Sequence, residues 1–125
     1  MKLGAVHHVS VNVPDVDAAA AFYTDVLGME VLDRPDFRFD GRWLRTGAGA
    51  EVHLIEVADW VPPAGQHWAF GVGDIDAAVA ELRSHDVEVG DPVAVGGTGA
   101  RQAFFSDPAG NMIELNQPAR PGAAR

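Results

Sequence analysis

Four side chains with the chemistry of metal ligands stand at matched places in the two halves of this 125-residue chain. His8 and His53 lie in the first half, His67 and Glu114 in the second. Three imidazoles and one carboxylate suit a borderline divalent ion: imidazole suits Zn, Fe, Ni and Cu, and carboxylate adds a hard anionic donor. Glu114 is the only carboxylate of the set. Alternatives stay open for each residue taken singly. Glu114, between Ile113 and Leu115, also fits the solvent face of a strand. His53 shares its face with Glu51, which also suits a partly wet surface. Arg101 and Gln102, beside the loop Gly96-Gly97-Thr98-Gly99, are candidates to contact a substrate. His7 falls on the valine face by alternation and reads as structural or peripheral. His85, in Ser84-His85-Asp86, is given no role. Cysteine is absent, which removes a disulfide framework, a thiol nucleophile and a cysteine metal cluster.

The elements that must position these residues are repeated. Residues 8–19, HVSVNVPDVDAA, match residues 67–78, HWAFGVGDIDAA, without a gap and 59 positions apart. His8 falls on His67, Val13 on Val72, Asp15 on Asp74, Asp17 on Asp76. Each copy reads as a strand, an Asp suited to a turn or helix N-cap, and then a helix. The helices are expected near 16–26, ended by Gly28, and near 75–84. Strands are expected at 6–13, 30–33, 37–45 and 51–57 in the first copy. Asp40-Gly41 would interrupt the third of these as a bulge or turn. In the second copy they are expected at 68–72, 87–89, 101–106 and 112–116. Asp107-Pro108-Ala109-Gly110-Asn111 supplies turn chemistry before the last. The unit is therefore β-α-β-β-β used twice, an α+β architecture: module 1 near 5–57, a linker at 58–66 containing Pro62-Pro63, and module 2 near 67–117. Residues 118–125 read as a frayed tail.

Strand alternation sorts side chains onto two faces. Val9, Val11 and Val13 share one face of the first strand; His8, Ser10 and Asn12 share the other. Trp68, Phe70 and Val72 oppose His67, Ala69 and Gly71. The closing strands divide in the same way, and all four candidate ligands fall on the faces turned from the helices.

Composition excludes several functions. Nine Lys plus Arg against eighteen Asp plus Glu give a net charge of −9. Nucleic-acid binding, which rests on cations that neutralise phosphates, is not expected. A polybasic membrane surface is absent, and no apolar run reaches the ~18 residues of a membrane span. A cytoplasmic setting is the default expectation.

The phrases FYTDVLGM at 22–29 and DPAGNMIEL at 107–115, with His7-His8-Val9-Ser10-Val11 and His67-Trp68-Ala69-Phe70, resemble the vicinal oxygen chelate superfamily. That group holds glyoxalases, bleomycin-resistance proteins and extradiol dioxygenases. The resemblance spans residues 5–117. It implies paired βαβββ modules whose curved sheets form a cup, in a homodimer. It further implies a divalent metal (Zn, Ni, Mn, Co or Fe) held by His8, His67 and Glu114, with His53 at a fourth position that varies among members. The implied activity is a glyoxalase-like lyase or isomerase acting on a small substrate with neighbouring oxygens, with the carboxylate ligand Glu114 also serving as the base. Two alternatives accompany it. One is a metal-free binder of the bleomycin-resistance type. The other is a single-domain Fe(II) dioxygenase using His8, His67 and Glu114 as a facial triad.

Overall fold

The computed structural model describes residues 1–120, so the tail expected to fray lies, for residues 121–125, outside the described residues. The chain divides into two compact units, residues 1–61 and residues from 62 onward. Each is a β-α-β-β-β unit.

The first unit contains β1 (His8–Val13), α1 (Val16–Ala21), β2 (Glu30–Leu32), β3 (Gly41–Arg45) and β4 (Glu51–Glu56). Its sheet order is β1-β4-β3-β2; β1 and β4 run parallel and the other pairs antiparallel. The second contains β5 (His67–Gly71), α2 (Ile75–Ser84), β6 (Val93–Ala94), β7 (Arg101–Ser106) and β8 (Met112–Gln117), in the order β5-β8-β7-β6 with the same directions. The helix of each unit packs on one face of its own sheet, α1 on β3 and β4, α2 on β7 and β8. Val11, Val13, Leu44, Val52 and Leu54 of the sheet and Val16, Ala19 and Tyr23 of the helical segment are buried in the first unit. Ala103, Phe105, Ile113 and Leu115 of the sheet and Ile75, Val79 and Leu82 of the helix are buried in the second.

The helices start where the sequence places them, and by the same device. The Asp15 carboxylate accepts from the Ala18 N–H and the Asp74 carboxylate from the Ala77 N–H, each at 3.0 Å. That satisfies one of the N–H groups a helix start leaves unpaired. A side chain from the end of the closing strand serves another. Gln117 Oε1 accepts from Ile75 N–H at 2.9 Å, and Glu56 Oε1 from Val16 N–H at a long 3.5 Å.

Three elements depart from expectation. The α-helix expected to reach residue 26 ends at Ala21 and continues as a wider π-type turn over Phe22–Val26. There Leu27 N–H reaches the Phe22 carbonyl and Tyr23 is buried. Gly28, at φ 69°, ends the helical segment as expected. The strand expected over 37–45 begins only at Gly41, because Phe37 N–H turns back to the Pro35 carbonyl and Arg34 donates to Phe39. The strand expected at 87–89 is instead a loop, and the sixth strand is Val93–Ala94. Val87-Glu88-Val89 alternates as a strand would. However, Asp86 at φ 59° breaks the path, and the Val89 carbonyl is taken by the Arg83 guanidinium rather than by a ladder. Among the described residues no helix is long and apolar enough to cross a membrane.

Candidate functional site

In each unit the two candidate ligands sit on the face turned from the helix, on adjacent parallel strands and in the same diagonal relation. His8 lies opposite Glu51, and His53 is two residues further along β4. His67 lies opposite Met112, and Glu114 is two residues further along β8. The third strand adds an aromatic ring beside the second ligand: Trp43 is the cross-strand partner of His53, and Phe104 of Glu114.

In the second unit the pair converges. His67 Nε2 is 3.2 Å from Glu114 Oε1. His67 Nδ1 is 2.9 Å from the Gly65 carbonyl oxygen, which can only accept, so Nδ1 carries the hydrogen. In the neutral ring Nε2 then presents its lone pair toward a carboxylate oxygen. Two electron-pair donors facing at this distance repel unless a proton or a cation lies between them. A ring N–H held by a backbone carbonyl is also how metal-binding imidazoles are oriented. The residues therefore fit a divalent ion. Glu114 is 8% exposed, and its Oε2 accepts from Asn116 Nδ2 at 2.9 Å. Phe104 packs edge-on against His67, with ring centroids 5.2 Å apart.

In the first unit the pair stacks. His8 and His53 lie face to face, 4.1 Å between centroids, and Trp43 covers the other face of His53 at 4.4 Å. His53 Nε2 is 2.9 Å from Glu51 Oε1, and His8 Nδ1 is 2.9 Å from His7 Nδ1. His7 Nε2 stands 3.7 Å from the other Glu51 oxygen. The His53 hydrogen bond holds the Glu51 carboxyl below the ordinary glutamate range; partial burial opposes this, and the charges of His7, His53 and Arg45 add to it. The ring row continues outward through Phe37 to Phe39, which stack at 5.4 Å with the Arg34 guanidinium over both. Phe37 and Phe39 are exposed.

The four donors thus come as two pairs, one to each unit. Among the described residues no three or more His, Cys, Asp or Glu side chains converge as a ready metal-binding group. Gln102 shares the Glu114 face, opposite Asn116. Arg101 does not: it has the alternation of Ala103 and Phe105, and it grips Asp76 in the first turn of α2 through two hydrogen bonds of 2.7 and 3.0 Å. His7, Trp43 and Glu51 surround the ligand candidates without having been singled out as ligands. Glu51 and Trp43 were within reach of the alternation rule. His7 was not, because it lies outside β1 and turns its exposed ring toward Glu51.

Comparison with known proteins identifies the lineage of this arrangement. Residues 5–115 match the model of the Glyoxalase/Bleomycin resistance protein/Dioxygenase superfamily. The chain belongs to this superfamily. Members generally use divalent metals, in keeping with the donor types described above. Among curated relatives, Glyoxylase I 4 of Arabidopsis thaliana is 31% identical over 92% of this chain and 71% of its own length. The mitochondrial methylmalonyl-CoA epimerase of Mus musculus is 30% identical over 93% and 74%. Among solved structures, TnmS3 from Streptomyces sp. CB03234, described as an antibiotic binding protein, is 34% identical. It superposes with a TM-score of 0.77 over 95% of this chain and 99% of its own. The superfamily therefore spans enzymes and a binder at similar distance from this sequence, and the site must decide between them.

Proposed function

We propose that the protein is a metal-dependent glyoxalase-type enzyme, a lyase or isomerase acting on a small substrate with two neighbouring oxygens. The observation that carries this reading is the His67–Glu114 pair, an oriented imidazole lone pair aimed at a largely buried carboxylate. His67 and Glu114, with His8 and His53, from one chain or from two copies in a homodimer, would hold the ion. When bound, a divalent ion polarises the substrate oxygens and stabilises the negative charge that develops on them. Glu114 takes up a proton from the oxygen-bearing carbon beside the substrate carbonyl and returns it to the former carbonyl carbon. Asn116 donates to Glu114 Oε2, which orients the carboxylate toward His67. Gln102 shares that face, opposite Asn116, which supports a role for it in hydrogen-bonding substrate. Arg101 is left out of this role because Asp76 engages it on the opposite face.

The test is metal content by mass spectrometry on protein purified without chelator or affinity tag, followed by turnover of hemithioacetals formed from 2-oxoaldehydes and a panel of thiols. About one divalent ion per chain, lost in His67→Ala and Glu114→Ala, with turnover that follows the metal, is expected. Wild type that takes up no metal after reconstitution overturns the reading.

A second reading, a metal-free binder, draws on the row of rings from the exposed Phe39 and Phe37 to the half-buried Trp43 and on the likeness to an antibiotic binding protein. It expects quenching of Trp43 fluorescence by a flat cationic glycopeptide, to the same extent in wild type and Glu114→Ala.

A further inference from the structure

The His53 ring is held on three sides. Trp43 and His8 cover its two faces, tilted from it by only 11° and 15°. In the ring plane, Nε2 meets Glu51 Oε1 at 2.9 Å. A carboxylate accepts and does not donate, so this contact requires the hydrogen on His53 Nε2. Turning the ring over within its stack would take Nε2 away from Glu51 and lose the bond. The second unit meets the same need in another way. Met112 occupies the place of Glu51 in the register and offers no comparable acceptor, and His67 is held by the Gly65 carbonyl at the opposite ring nitrogen.

We infer that Glu51 is a positioning residue for His53, fixing it as the Nε2–H tautomer so that Nδ1 is left as its electron-pair donor. The two units then present opposite ring nitrogens: Nδ1 from His53 and Nε2 from His67. Glu51 itself acts only through His53. The inference concerns the ring and stands whether or not a metal binds; its consequence for metal affinity rests on the proposed function.

Two readouts on the uniformly 15N-labelled full chain keep these apart. Long-range proton–nitrogen correlation spectra report the tautomer of His53, its signals assigned by their loss in His53→Asn. Titration with Zn(II) alone reports affinity. Wild-type His53 is expected as a single Nε2–H tautomer. Glu51→Ala should give a mixture and weaken Zn(II) binding by about 10–100-fold, the usual cost of losing an orienting partner. Glu51→Gln, whose amide oxygen still accepts, should retain the tautomer and most of the affinity. Glu51→Asp keeps the charge but withdraws the acceptor by one methylene, and should behave like Glu51→Ala; it also serves if the alanine variant fails to fold. A wild-type Nδ1–H tautomer, or an unchanged tautomer in both Glu51→Ala and Glu51→Asp, overturns the inference. A changed tautomer with unchanged Zn(II) affinity upholds Glu51 as the positioner of His53 and removes His53 from the metal set.

Discussion

The two units share what holds a helix on a sheet and differ in what they offer on the opposite face. Strand order, the Asp N-caps, the closing-strand side chain at the helix start and an arginine gripping the first-turn Asp occur in both. On the faces turned from the helices, the first unit stacks three rings, His8, His53 and Trp43, and closes the stack with a carboxylate. The second sets one imidazole against one carboxylate and leaves Ala69 and Gly71 beside them exposed. Helix docking needs the same contacts in both units, so its residues are repeated. The proposed site would need unlike groups, a base and an orienting set, which accounts for its residues not being repeated. The first unit is built to hold a ring still, the second to hold a charge.

If that division is correct, the largest effects fall on metal affinity and fall unequally. Glu114→Ala and His67→Ala should each weaken Zn(II) binding by more than the about 10–100-fold expected from losing an orienting partner. His53→Ala should stay within that range. Competition against a chromophoric chelator measures all three. Equal losses would mean that the units grip alike and that their difference lies elsewhere.

The turns before the closing strands provide the next test. Thr46–Ala50 and Asp107–Asn111 have the same backbone bonds: the first N–H to the fifth carbonyl, and the glycine N–H back to the first carbonyl. Gly49 and Gly110 both take positive φ, at 100° and 85°. The side chains differ. The buried Asp107 carboxylate accepts from the N–H groups of Ala109 and Asn111 and from the Asn111 amide. Thr46 Oγ1 is buried without a partner among the described residues. Asp107→Ala should cost about 2–3 kcal/mol by urea unfolding, because it strands donors in a buried turn. Thr46→Ala should change stability by no more than about 0.5 kcal/mol. Thr46→Asp sharpens the comparison: a carboxylate there can take the N–H groups of residues 48 and 50, for a gain of up to about 1 kcal/mol. A loss instead would show that the two turns are alike only in backbone.

Much of this arrangement was legible in the sequence, and the limits of legibility are physical. The repeat located both helices and both first strands. The alternation of Val11 and Val13 against His8, and of Ile113 and Leu115 against Glu114, gave the faces, because a half-buried strand must alternate. That rule also separates Arg101 from Gln102, since Arg101 shares the parity of Ala103 and Phe105. Position beside a glycine-rich loop had placed the two together. The strand expected at 87–89 misled because alternation also fits a loop that buries Val89 and exposes Glu88. Only the carbonyl partner, Arg83, tells the two apart. The clamp around His53 depends on cross-strand register, which pairs Trp43 with His53 and so sets their rings together; no local pattern at residue 53 announces it.

The smallest effect separates the two arginine grips. Arg101 meets Asp76 with two bonds and Arg42 meets Asp17 with one of 2.8 Å, both at partly exposed sites. The Arg101 hydrogen bonds hold the Asp76 carboxyl below the ordinary aspartate range, against a smaller effect of burial, and Asp76 in turn raises Arg101. A carboxyl whose folded pKa is depressed contributes stability above its unfolded value, near pH 4, and loses it as pH falls through the folded value. Arg101→Ala should therefore lower Tm at neutral pH by no more than about 3 °C. The gap to wild type should close as pH drops below about 4 and Asp76 takes up its proton. Arg42→Ala should give a smaller Tm change, as one bond is lost rather than two. Added salt should shrink both shifts, since exposed pairs are screened. A shift in Arg101→Ala that persists at low pH would assign its effect to packing of the arginine stem against the helix rather than to the charge pair.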